Sequence, residues 1–479
     1  MLFNSINFAI FLPIVFIIYW FVTNKSLKNQ NILLLVSSYF FYACWDWRFL
    51  FLLMFSTLLD YYTGIKMDEA ANKSKKKFWF WLSICVNLGF LGAFKYYNFF
   101  ASSFSEALSH FGFQVNPWTL KVLLPVGISF YTFHGLSYVI DIYKERIKPE
   151  KNFIDYSVFV SFFPLLVAGP IERATHLLPQ IQRKRVFNYS QAVDGLRQIL
   201  WGLFKKVVIA DQCAEFANLI FNDYSSHSGG TLLIGAILFS FQIYGDFSGY
   251  SDIALGTARL FGIELLRNFS FPYFSRDIAE FWRRWHISLS SWFKDYLYIP
   301  LGGSKGGMWM KIRNTFIIFL VSGFWHGANW TFIIWGGLNA LFIMPSIILN
   351  TNRSNIEIVA KGKIFPSMKD FFSILITFLL TTLAWIFFRS NSVSDALSFV
   401  GKIFSYSLFE ITNTVFPKKL LIWLIVFVGF EWLGRQDEYA LANFGLKWPR
   451  FLRWALYYLI VVAVYAYSGS EQQFIYFQF

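Results

Sequence analysis

NTFIIFLVSGFWHGANWTFIIWGGLNALFIMPSIILN, residues 314–350, decides the fold class, because its 37 positions hold no Asp, Glu, Lys or Arg. As helix the run would extend about 55 Å, nearly twice the ~30 Å hydrocarbon core of a bilayer. Arg313 precedes it, and Arg353 and Lys361 follow it, so both ends carry the positive charge expected of cytoplasmic loops. Such a chain must enter and return, with Gly323, Gly327, Gly336 and Gly337 available for the break. His326 stands in the middle. An ionisable side chain is costly in hydrocarbon and marks a functional-site candidate, and imidazole is the side chain best suited to moving protons near neutral pH. The alternative is a histidine that only hydrogen-bonds between helices. On this geometry His326 lies about 18 Å along the helix, near the bilayer midplane. A base at that depth needs a water-accessible funnel from the cytoplasmic face.

The rest of the composition agrees. The chain is 56% hydrophobic and 15% charged, with a mean hydropathy of +0.46, whereas globular chains carry roughly 25% charged residues. The expected fold is all-α, a multi-pass membrane protein of roughly ten or eleven membrane segments. Re-entrant and interfacial helices are expected around a central funnel. The net charge of +14 reads as cytoplasmic loops obeying the positive-inside rule and not as nucleic-acid binding. Cys44, Cys85 and Cys213 match no metal spacing and no disulfide framework.

Along the chain, residues 8–22 are apolar and followed by Lys25 and Lys28, which places the amino terminus outside. Residues 31–65 are too long for one crossing, and Trp45-Asp46-Trp47-Arg48 reads as a turn between two. The basic stretch 66–77 is expected inside and residues 114–121 outside. The central third is irregular: Lys205-Lys206 interrupts an apolar run, and Tyr244-Gly245-Asp246-Phe247-Ser248-Gly249 sits inside another. Non-helical backbone at membrane depth is tolerated only beside protein or a water-filled cavity.

RDIAEFWRRWHISLSSWFK, residues 276–294, reads as one amphipathic helix capped by Ser275 or Asp277. Ile278, Phe281, Trp282, Trp285, Leu289, Trp292 and Phe293 share a face at steps of three and four, opposed by Arg276, Arg283 and Lys294, with His286 on the border. This is the pattern of an interfacial helix. It serves either as a lipid anchor or as a cationic mouth for a phosphorylated ligand, with Lys305 just beyond the Gly302-Gly303 turn.

Residues 276–305, followed by SGFWHGANWTFIIWG (322–336), resemble the membrane-bound O-acyltransferase superfamily, and more narrowly its bacterial alginate O-acetyltransferase branch. LPVGISFYTF (124–133), FFPLLVAGPIER (162–173), YGDFSGYSDIALG (244–256) and FIYFQF (474–479) carry the same resemblance. It is clearest over residues 124–479 of what reads as a single membrane domain, 1–479. The resemblance implies a funnel, an acyl donor arriving from the cytoplasm and an acceptor from the other face. His326 matches the family's catalytic base and His286 its second, more variable site; Asp246 falls in a further family motif.

The expected chemistry is then acetyl transfer from a thioester substrate, acetyl-CoA or another acyl thioester, to an exported polysaccharide such as alginate. The reaction takes place in the bacterial inner membrane, with no bound cofactor or metal. An extracytoplasmic acetyltransferase partner follows from the resemblance. Acyl transfer to a hydroxyl needs a base and oxyanion donors. His326 and His286 are the catalytic candidates; Arg283, Lys305, Asp246, Asn329 and Trp325 are candidates for donor binding or for lining the funnel. Asn329, three residues after His326, would share its helical face if the helix continued. No Ser or Cys stands in a G-x-S-x-G setting, so no covalent intermediate is required. D-alanyl transfer from a carrier-protein thioester is the alternative within the enzymes. A transporter or flippase is the alternative outside them, and it predicts inverted repeats that this chain does not display.

Overall fold

The computed structural model describes residues 1–113, 116–120, 124–167, 169–411, 418–469, 472, 474 and 475. Among them every regular element is helical. Four helices are long and apolar enough to cross a membrane by themselves: Lys73–His110, Gly229–Leu260, Trp330–Ile348 and Met368–Arg389. Large side chains stay exposed along the last of these, among them Phe371, Phe372, Ile376 and Leu379. In water such a stripe would be a liability, and in lipid it is the natural outer surface. The ten or eleven segments expected from the sequence equate each apolar run with a crossing, but several runs are built from short or kinked pieces.

The chain divides into two compact units, Met1–Ala192 with Thr257–Leu266, and Val193–Gly256 with Arg267–Phe479. In the first, Leu27–Asp68 leaves helical geometry once, at Asp46 (φ −154°, ψ 110°), where the sequence places its turn. Asp46 then accepts from the Arg48 guanidinium at 2.6 Å. Buried Asp60 accepts from Ser83 (2.6 Å) and Asn87 (2.8 Å), so its desolvation is offset by two hydrogen bonds. Of the 114–121 stretch, Gln114, Val115 and Lys121 lie outside the described residues.

In the second unit the 244–249 stretch does not break the chain; Gly229–Leu260 is one helix of 32 residues. Its glycines serve packing. A Cβ on Gly249 would come within 2.8 Å of the Gly202 carbonyl oxygen and 3.1 Å of the Lys206 amide, and one on Gly202 within 2.6 Å of the Gly249 carbonyl. Small residues let two backbones touch where lipid offers no hydrophobic drive between helices. The opposing segment, Phe204–Ala210, is a π-helical turn, and its wider winding turns both Lys205 and Lys206 inward. Lys205 pairs with Asp252 at 2.6 Å, and Lys206 with Asp211 (2.8 Å) and Asp246 (2.7 Å).

Residues 276–294 are not one helix. Ile278–Arg284 and Ile287–Phe293 are separate, joined by His286 at φ 43°. Asn268 explains the break, because its carbonyl accepts from the Ile287 amide (2.9 Å) and its side-chain oxygen from the Ser288 hydroxyl (2.6 Å). The first cap is Asp277, which accepts from the Glu280 amide at 2.7 Å. The aromatic face is turned into protein: Phe281 and Trp285 are each 1% exposed. The interfacial-helix reading is therefore corrected at this segment.

Candidate active site

Gly307–His326 and Trp330–Ile348 form an antiparallel hairpin. Cβ atoms on Gly323 and Gly336 would land on the carbonyl oxygens of Phe332 and Phe319 respectively, so glycine is what lets the two helices meet. The first helix has 20 residues and ends on His326, about 30 Å from its start. Gly327 then turns extended. The expected entry and return is present, but the break comes directly after the histidine, so His326 lies at the closed end of the hairpin and not at the mid-depth expected from the sequence.

His326 is 5% exposed and His286 1%. Trp325 touches both, its ring centroid 4.7 Å from His326 and 6.1 Å from His286. Trp335 (5.1 Å) and Phe388 (5.4 Å) complete an edge-on aromatic shell around His326. Phe247 meets the His286 ring edge-on at 4.7 Å. Neither ring nitrogen of His286 has a hydrogen-bond partner among the described residues. Burial favours its uncharged ring. A neutral imidazole always carries one N–H, and a buried unsatisfied donor costs about 1–3 kcal/mol. A polar group held at that cost is suited to a ligand atom.

A cavity of about 1100 Å³ opens at the other end of the hairpin. Lys294, Lys305, Lys311 and Arg353 line it, with Ile318, Phe319, Ile343 and Ile347 as apolar wall and no acid among its described lining residues. The turn at its edge needs glycine: Gly302 and Gly303 have φ of 101° and 59°. Asn314 holds that turn through the carbonyls of Leu301 (3.3 Å) and Gly303 (2.9 Å). From the cavity wall a line of ring contacts runs Phe319–Trp282 (5.1 Å), Trp282–Trp335 (5.7 Å) and Trp335–His326 (5.1 Å).

Of the sequence candidates, Lys305 lines this cavity; His326, His286, Trp325, Arg283, Asp246 and Asn329 do not. Arg283 instead donates to the carbonyls of Asn352 (2.6 Å) and Asn355 (2.9 Å), and so pins the loop behind the cavity. Asn329 is not on the His326 face, because the helix stops. Its oxygen caps the next helix at the Thr331 amide (3.0 Å), and its amide donates to the Asn391 carbonyl (3.0 Å). Asp246 is held by Lys206 and accepts from the Ile475 amide at 2.7 Å; only its neighbour Phe247 reaches His286. Phe474 packs on Tyr250 at 4.6 Å, while residues 476–479 of the terminal motif lie outside the described residues.

Sequence reasoning missed Trp335 and Trp282 as the link between cavity and histidine, and Asn268 as the clamp on His286. Arg353 was visible as a flanking charge but not as a cavity residue.

Comparison with known proteins fits this geometry. Residues 144–390 match the membrane-bound O-acyltransferase family. The chain is 36% identical to the probable alginate O-acetylase AlgI of Pseudomonas putida, over 100% of both chains. It is 38% identical to the peptidoglycan O-acetyltransferase of Helicobacter pylori, over 83% of this chain and 78% of that one. The teichoic acid D-alanyltransferase of Streptococcus thermophilus is 30% identical over 50% of this chain and 61% of its own. A hairpin histidine in an aromatic shell, membrane-crossing helices and relatives of this kind lead to one assignment: the chain belongs to the membrane-bound O-acyltransferase family and is an O-acyltransferase.

Proposed function

We propose that this acyltransferase moves an acetyl group from acetyl-CoA, bound in the cationic cavity, to a hydroxyl of an exported polysaccharide such as alginate, with His326 as general base. The observation that carries the reading is the pairing of a four-cation cavity with a continuous aromatic path to His326. The cations suit the phosphates of a nucleotide thioester, and the apolar wall suits its pantetheine arm. In the transfer, His326 removes the acceptor hydroxyl proton as the oxygen attacks the thioester carbonyl. His286, with a donor to spare, hydrogen-bonds the oxyanion. Collapse expels the thiolate, which takes the proton from the His326 imidazolium. Acyl passes directly from sulfur to oxygen.

The protein sits in the bacterial inner membrane, with the cavity on the cytoplasmic side and the amino terminus outside. Lys66–Glu69 and the lysines at 73–77 then face inward, in keeping with the positive-inside rule. The relatives' names support a cell-surface glycan as the destination of the acyl group; an extracytoplasmic acetyltransferase partner is what the resemblance implies.

The test is acetyl content of the exported polymer in cells producing His326→Ala. We expect a drop of about 10²–10⁴-fold, the usual worth of a general base, with membrane insertion intact. Polymer acetylated to the wild-type level would remove His326 from the mechanism.

A further inference from the structure

A second cavity, of about 470 Å³, lies between Met368–Arg389 and Lys418–Leu433. Phe371, Ile374, Leu375 and Phe378, at steps of three and four, turn one face of the first helix into it, and Phe427, Val428 and Trp432 line it from the second. From Phe371 to Phe378 the groove runs about 10 Å, two-thirds of the ~15 Å of hydrocarbon in one leaflet. It shares no described lining residue with the cationic cavity. The polar groups on its wall are already engaged. Glu431 accepts from the Tyr244 hydroxyl and from the Trp201 indole (3.2 Å), and the Tyr273 hydroxyl donates to the Ser240 carbonyl at 2.6 Å. What remains is hydrocarbon and ring surface, which water does not wet. Phe371 and Leu375 are exposed and continue the lipid-facing stripe of Phe372, Ile376 and Leu379, so the groove opens sideways onto the bilayer.

Positive charge gathers at one end. Phe365 and Pro366 close the groove there, and Lys361, Lys363 and Lys369 stand exposed among exposed Ile364, Phe365 and Met368. Apolar side chains ringed by lysines seat in a headgroup layer and attract anionic lipid. Asp370, the acid that follows, accepts from the Ser367 hydroxyl at 2.8 Å. The loop is also fixed in place. The Trp432 indole donates to the Ile364 carbonyl (2.7 Å), and the Arg435 guanidinium to the carbonyls of Val359 (3.0 Å) and Ala360 (2.7 Å). The lysines are thereby held at the mouth of an apolar slot.

We propose that this groove holds one acyl chain of an anionic bilayer phospholipid, with the lipid phosphate at Lys363 and Lys369. A zwitterionic lipid offers the same hydrocarbon but no net charge for the lysines. The groove also backs onto the reaction centre. Tyr244 and Tyr273 line it, and both rings pack on Trp285 at 6.1 Å, next to His286. An occupied groove supports the wall behind that histidine, so the lipid acts on turnover and not on donor affinity. Only this effect on turnover rests on the reaction proposed above; binding of the lipid does not.

The experiment uses the full chain and two probes, phosphatidylglycerol and phosphatidylcholine, titrated into delipidated protein and counted by native mass spectrometry. Ile374→Trp, which fills the groove, and the pair Lys363→Gln with Lys369→Gln are each expected to weaken phosphatidylglycerol binding at least tenfold. Leu379→Trp, on the lipid-facing side of the same helix, should change it less than twofold. If Ile374→Trp fails to fold, Val428→Phe carries the comparison. In nanodiscs the wild type should show a several-fold higher kcat with phosphatidylglycerol than with phosphatidylcholine alone, at equal KM for acetyl-CoA, and Ile374→Trp should lose that difference. Equal binding of the two lipids, or equal binding by wild type and variants, overturns the site. So does a lipid-free dimer that Ile374→Trp dissociates, which would put a second copy of the chain in the groove. A kcat indifferent to lipid overturns the link to Trp285. A protein that binds the lipid as expected but transfers no acetyl group would instead sink the proposed reaction, a separate failure.

Discussion

Two Trp-His dipeptides, Trp285-His286 and Trp325-His326, stand at two breaks in helix, and the breaks are made differently. After His326 the chain turns at Gly327, and two further glycines let the helices close on each other. At His286 there is no glycine; the histidine itself takes the left-handed conformation, φ 43°, held by Asn268. A non-glycine residue there costs roughly 1–2 kcal/mol. One break is written locally and the other is imposed by tertiary contact, and strain of the second kind gathers at functional sites.

The largest effect should come from the histidines themselves. Beyond the loss expected of His326→Ala, His286→Ala should lower the transfer rate by about 10²–10³-fold, the worth of one oxyanion donor. The double variant should be little worse than His326→Ala, since residues acting as a unit are non-additive. Acetyl-CoA turnover in membranes measures both, and full additivity would place the two rings in separate roles.

His286→Gly sharpens the contrast. Glycine tolerates positive φ, so His286→Gly should be more stable than His286→Ala by about 1 kcal/mol, because alanine keeps the left-handed strain and both lose the same ring, while activity falls equally in the two. Equal melting temperatures would mean that the left-handed conformation carries no strain.

The hairpin offers the matched control. Gly323→Ala drives a methyl onto the Phe332 carbonyl, whereas a Cβ on Gly337 meets nothing nearer than Leu320 at 3.8 Å. We expect Gly323→Ala to cost about 1–3 kcal/mol, as overpacking does, and Gly337→Ala almost nothing. Equal melting temperatures would mean that the helices are not in contact there. The smallest expected change is a rise of several-fold in donor KM for Lys305→Gln with Lys311→Gln, because each charge is one of four around the cavity. Arg283→Gln, which unpins the loop at Asn352 and Asn355, should reduce protein yield more than KM.

Much of this was legible in the sequence where the signal is local. An uncharged run of 37 residues with interspersed glycines announced the hairpin, and Trp45-Asp46-Trp47-Arg48 announced the break found at Asp46. What periodicity could not announce was the tertiary override at residues 285–286, because 276–294 is a sound helical pattern until Asn268 intervenes. The 244–249 stretch misled for the converse reason: its glycines look like helix breakers but are contact points for Gly202 and the Lys206 turn. Among the candidate residues, His326 and His286 share Trp325 as a neighbour, while Asn329 and Arg283 are committed to backbone groups that only the folded chain supplies.

The Asp246 contacts also set a clock. Ile475 is separated from Asp246 by 229 residues, which a ribosome working at about 5–20 residues per second needs roughly 10–50 seconds to add. Lys206, only 40 residues upstream of Asp246, is available at once. The cation that pairs with this carboxylate is thus synthesised before it, and the amide that donates to it only well afterwards. The shell around His286, which leans on Phe247, is therefore completed by a segment made well after the helix that carries it.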